Sequence, residues 1–133
     1  MIHRVLLVGR WVVDFLFAVH GYDEEGVLAC LRDYGAPERV LLDAIDLMGS
    51  CDCDCGFTYA NMKKRLAVVL IGPTSGGDEF IDTFVHEVRH IVDAIAEDAG
   101  VTRHRERPAY LAGDMARALA ETVCELGCIR CRG

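Results

Sequence analysis

No apolar run in this chain is long enough to cross a bilayer. The N-terminal stretch comes closest, with Val5 to Val8 and Trp11 to Val19, but Arg10 and Asp14 interrupt it. Neither a membrane span, which needs about 20 apolar residues, nor the unbroken apolar core of a secretion signal fits there. The expectation is a soluble protein that stays in the cytoplasm. Basic residues are in deficit, with 14 Lys and Arg against 21 Asp and Glu and a formal net charge of −7. That excludes general binding to phosphate backbones, which needs a basic face. Internal repeats and low-complexity segments are also lacking. The 133 residues suffice for one domain and not for two of ordinary size. A chain of that length can bury a core without staples. Its 52% apolar and 26% charged residues are those of a globular chain.

Cysteine, by contrast, is plentiful. There are seven: Cys30, Cys51, Cys53, Cys55, Cys124, Cys128 and Cys131. An odd number without a secretion signal argues against an extracellular disulfide framework. Reduced thiols, free or metal-bound, are the expected state.

The hydrophobic pattern predicts an α+β chain. Ile2 to Val8 reads as a buried strand and Trp11 to Ala18 as a second one. Asp23 to Asp33 reads as a helix with an acidic first turn, closed by Gly35. Pro37 opens another helix, with Val40, Leu41, Ile45 and Met48 on its apolar side. Gly49 to Gly56 is a loop holding three cysteines; Phe57 to Ala60 and Leu66 to Ile71 are strands. A long helix then runs from about Asp78 to Glu97, with a core stripe of Ile81, Phe84 or Val85, Val88, Ile91 or Val92, and Ile95. The last helix runs from about Glu106 to Leu126. Its stripe of Ala109, Ala112, Gly113, Ala116 and Ala120 suits close approach of a neighbouring helix.

The long helix carries His86-Glu87-Val88-Arg89-His90, an H-E-x-x-H pattern. Residues i and i+4 share one helix face, so both imidazoles can reach one zinc ion at ~2.0–2.1 Å. Glu87, beside them, is placed to take a proton from a metal-bound water, whose pKa zinc lowers toward ~7. With this chain's 5 His and 9 Glu, the pattern arises by chance at roughly 1 in 80. The surroundings add weight: an amphipathic helix around it, a strand before it, and a carboxylate at the head of the next helix. That carboxylate is Glu106, sixteen residues after His90, with Pro108 fitting a first helical turn. A blander role for Glu106 is a first-turn acid favoured by the helix dipole. His104 is the rival third ligand, followed by Asp114 and Glu97.

Over about Arg65 to Ala120 this arrangement resembles the gluzincin metallopeptidases, and among them the minimal minigluzincins. The resemblance implies a single zincin-like domain over 1–133, with its core at 65–120 and an N-terminal elaboration at 1–60. In such a domain a short sheet packs on the motif helix and on an antiparallel, glutamate-bearing helix. It implies Zn²⁺ held by His86, His90 and Glu106, Glu87 as general base, and a peptide or protein substrate. Zincins pair an extended substrate with an edge strand above the motif helix, and Leu66 to Ile71 is the candidate. The alternative is a catalytically inactive zinc-binding protein with a regulatory or partner-binding role.

Asp93 could orient His90 from one turn away, or pair with Arg89 at i,i+4. Tyr110 could face the cleft or sit in the core. His3 and His20 show no partner pattern and read as ordinary. Cys51, Cys53 and Cys55 in the loop, with Cys124, Cys128 and Cys131 near the C-terminus, could build a second metal site or stand as free thiols. Cys30 reads as a core residue.

Overall fold

A computed structural model of the chain describes residues 1–50, 53–100 and 106–127, with only the helical backbone described at 106–109. Cys51, His104, Cys128 and Cys131 lie outside the described residues, as does the side chain of Glu106.

The fold is α+β. In chain order it runs β1 (Ile2–Val8), β2 (Trp11–Phe17), α1 (Glu24–Asp33), α2 (Glu38–Gly49), β3 (Gly56–Asn61), β4 (Leu66–Ile71), α3 (Gly77–Asp98), α4 (Glu106–Ala118) and α5 (Ala120–Gly127). The strands form one sheet in the order β1-β2-β4-β3, with β2 and β4 parallel and the outer pairs antiparallel. Gly9, at φ +61°, takes the first position of the two-residue turn between Val8 and Trp11. Glycine adopts that conformation without strain, and it suits a hairpin turn.

Strand alternation sends side chains to two cores. Trp11, Val13, Phe15 and Phe17 of β2 and Ala67, Val69 and Ile71 of β4 pack with α3, Met115 and Leu119. Phe15, Phe17, Phe80 and Phe84 meet there with ring centroids about 6 Å apart. Leu16, Val68 and Leu70 face the other way and pack with α1 and α2. The sheet is therefore covered on both sides, and β2 and β4 read as nearly unbroken apolar runs for that reason.

Several expectations change. β1 is an edge strand, not a buried one: Val5 is 55% and Leu7 81% exposed, because neither helical layer reaches over them. Leu66 to Ile71, expected at the sheet edge, is instead the inner strand β4, flanked by β2 and β3. Its all-apolar sequence is that of a strand buried on two faces. The edge on that side is β3. On α3 the buried stripe starts at Phe80, while Ile81 and Val85 are exposed. The steps Phe80, Phe84, Val88, Ile91 and Ile95 keep one face at helical spacing, and Ile81 and Val85 are rotated off it.

The last helix is divided at Leu119. Helical bonds still cross the break, from the Leu119 N–H to the Met115 carbonyl and from the Val123 N–H to the Leu119 carbonyl. The small residues do not lead the packing of α4. Gly113 and Ala120 are exposed, and Met115 and Leu119 are buried. Large apolar side chains at i,i+4 bury more area than alanines and so take the inner face.

Candidate metal centre

The motif lies in the middle of α3, one turn past the aromatic cluster. His86 and His90 share one face, with ring centroids 5.0 Å apart and planes at 83°. Among the described residues, His86, Glu87 and His90 form the group whose ligand atoms all lie within 4.8 Å of one another. Two ligands of a tetrahedral zinc lie about 3.3 Å apart, given bonds of ~2.0–2.1 Å. At most about 1.5 Å must therefore close, which side-chain rotation can supply. Two imidazoles and a carboxylate also suit zinc chemically.

The histidines and the glutamate differ sharply in exposure. The His86 side chain is 70% exposed and that of Glu87 only 6%. Glu87 is covered by β3. The Thr58 hydroxyl donates to Glu87 Oε2 at 2.6 Å, and Glu87 Oε1 lies 4.0 Å from His86 Nε2. One carboxylate oxygen is thus held by the sheet while the other faces the histidines. Strand alternation explains this: Thr58 points to the α3 side, whereas Phe57 and Tyr59 join the opposite core.

Close approach of β3 to α3 depends on Gly56. A β-carbon there would lie 2.8 Å from Glu87 Cγ and 3.0 Å from Thr83 Cγ2. We expect Gly56→Ala to push Glu87 off Thr58 and to destabilise the fold by about 1–3 kcal/mol, as overpacking does. A lowered denaturant midpoint would show it; an unchanged one would mean that β3 and α3 separate without cost. Sequence reading missed Thr58 and Gly56, since a pairing of strand to helix across 29 positions leaves no local pattern.

Asp93 Oδ1 accepts from Arg89 Nε at 3.2 Å, the i,i+4 pair. Tyr110 is 68% exposed, so it is not a core aromatic. Asp114 pairs with Arg117 one turn on. Glu106 opens α4, which packs against α3. Cys53 and Cys124 are exposed, Cys55 and Cys30 half-buried, and all four are free thiols.

No family model matches the chain, and no curated protein or solved structure matches it either. The resemblance rests on the residues themselves. Among the described residues, no helix is long and apolar enough to cross a membrane.

A second polar cluster lies on the opposite face of the sheet. Asp14 of β2 is 4% exposed. It accepts from Tyr34 Oη at 2.5 Å and contacts His3 Nε2 at 2.7 Å and Cys30 Sγ at 3.6 Å. His3, expected to be ordinary, therefore has a buried carboxylate as partner. Burial first, and then the Asp14 charge, push the Cys30 thiol up to about 12 from 9.0. Burial, and then the hydrogen bond to Asp14, raise the Tyr34 hydroxyl.

The folded chain keeps the Cys30 proton between pH 9 and 12, where the unfolded chain has lost it, so unfolding releases a proton there. This contribution is present in full below pH 9 and fades as pH rises toward 12. We expect the urea midpoint to fall between pH 8.5 and 11, and to fall less in Cys30→Ala. Equal slopes for the two chains would exclude Cys30 as a source.

Proposed function

We propose that this chain is a zinc-dependent peptidase that hydrolyses peptide bonds with Glu87 as general base. The observation that carries the reading is the disposition of the motif: two histidines together on an open face, and between them and the sheet a glutamate fixed by Thr58. His86 and His90 would hold the metal, with Glu106, at the head of the neighbouring helix α4, as the third ligand. A zinc ion held there would supply an acidified water and polarise a carbonyl. Glu87 Oε1, the oxygen that Thr58 does not hold, would accept a proton and pass it to the leaving amine. Thr58 keeps the carboxylate in one rotamer, so the base need not be ordered during the reaction. Burial beneath β3 excludes water from its far side.

Metal content tests the first half of this reading. The wild-type chain, purified without chelator, should hold zinc at this centre. His86→Ala/His90→Ala should lose one equivalent, and Glu106→Gln should weaken binding by about 10-fold or more, the scale seen when ligand shells are disturbed. Unchanged metal in the double variant would place the zinc elsewhere. Unchanged affinity in Glu106→Gln would remove that residue from the ligand set.

A further inference from the structure

The loop before β3 carries two described cysteines, Cys53 and Cys55. Its backbone is tightly held. Asp54 N–H donates to the Pro73 carbonyl at 2.9 Å, and Gly72 N–H to the Cys55 carbonyl at 3.0 Å. The Asp54 carboxylate accepts from Ser75 twice, from the backbone N–H at 2.8 Å and from the hydroxyl at 2.7 Å. Asp54 itself stands at φ +65°, a conformation non-glycine residues adopt only where surrounding contacts impose it. Its neighbours on either side are Cys53 and Cys55.

Both cysteines open onto one cavity of about 210 Å³, which His20 and Ser50 also line, with Met48 and Pro73 behind. His20 lies just past the end of β2, over thirty positions away in sequence, and its ring stacks on Tyr22 with centroids 5.2 Å apart. A cavity of this volume has room for an ion and bound water. Neither cysteine is in a disulfide, and the Cys55 thiol makes only a weak bond to the Cys53 carbonyl at 3.6 Å; with His20 lining the same cavity, on a loop held by four hydrogen bonds, they make a soft donor set of the kind that holds zinc.

We propose that His20, Cys53 and Cys55 bind a second divalent zinc-like ion in this cavity, separate from the centre on α3. Their ligand atoms are not already gathered within 4.8 Å, so the three side chains close on the ion by rotation over a fixed backbone. Each thiol gives its proton to solvent as its sulfur–metal bond forms, with no change of oxidation state. The ion would pin the cysteine loop to the end of β2 and so brace β3, which follows directly at Gly56 and covers Glu87. Cys124 does not line the cavity.

The test uses the full-length reduced chain carrying His86→Ala/His90→Ala, so that the first centre cannot contribute. Alkylation by iodoacetamide is followed residue by residue by mass spectrometry, with and without one equivalent of zinc. Cys53 and Cys55 should react at least about tenfold more slowly with zinc, because thiolate bound to metal is a poor nucleophile, while Cys30 and Cys124 keep their rates. Cobalt in place of zinc should give thiolate-to-metal charge-transfer absorption. That absorption should vanish in Cys53→Ser/Cys55→Ser and shift in His20→Ala. Equal alkylation rates with and without zinc would overturn the site. So would charge-transfer absorption that survives Cys53→Ser/Cys55→Ser. An unaltered spectrum in His20→Ala would overturn the ligand set. None of these outcomes bears on the peptidase reading, which concerns His86, Glu87 and His90.

Discussion

Replacing Glu87 by Gln is expected to leave zinc bound and to slow peptide hydrolysis by about 10²–10⁴-fold, the usual worth of a positioned general base. Gln fits because it is isosteric. Its amide oxygen can still accept from Thr58, and its volume still fills the space under Gly56, where a β-carbon would already touch Glu87. Only the capacity to take a proton is lost. Structure and metal content should therefore match wild type, and kcat should carry the loss. KM should change little, because Glu87 is 5% exposed and offers little surface to a bound peptide. The measurement is cleavage of a broad peptide library alongside zinc analysis of both chains. If wild type and variant both hold zinc and are equally inactive, the peptidase reading fails. The inactive zinc-binding reading then stands.

Much of the frame was legible because its signals are local. The Leu66 to Ile71 run, the amphipathic period through Phe84, Val88, Ile91 and Ile95, and the Pro37 helix start each report on neighbours within a turn or two. The motif is local as well, which is why His86, Glu87 and His90 could be placed on one helix from spacing alone. What stayed hidden depends on pairing between distant segments. A run of six apolar residues declares a buried strand but not which neighbours flank it, so β4 was taken for an edge. The same blindness misjudged β1, whose Val5 and Leu7 have the composition of a core strand but no helix above them. Thr58 and Gly56 have ordinary strand identities. Their importance appears only once β3 is laid against α3. Asp14 was visible as a charge in an apolar run. It could have been read as a buried carboxylate in need of donors, since charges are rarely fully buried unless they are paired.

Asp14→Ala is expected to cost about 2–4 kcal/mol of stability, the largest loss from any single surface-remote substitution proposed for this chain. Three donors from two elements converge on that carboxylate: His3 from β1, and Cys30 of α1 with Tyr34, the residue that caps α1. Alanine removes the acceptor that the Tyr34 hydroxyl and the Cys30 thiol share. It also removes the bond that ties His3 of the edge strand β1 to the buried carboxylate. The three donors should not count equally. The His3 side chain is 45% exposed, so water can replace part of its bond, whereas the short Tyr34 bond lies deeper. Tyr34→Phe should therefore cost about 1 kcal/mol, the worth of one ordinary hydrogen bond, and His3→Gln less than that. A full denaturant curve for each variant measures this, with Tm as a second reading; for a chain of this size the Asp14→Ala loss corresponds to a fall of roughly 10 °C. Should Asp14→Ala match wild type, the cluster would be a bystander. If instead Asp14→Ala and Tyr34→Phe fell equally, the carboxylate would act through Tyr34 alone. The expected ranking needs the carboxylate to join β1 and α1 on the sheet face away from the candidate metal centre, so metal content should be unchanged in all three.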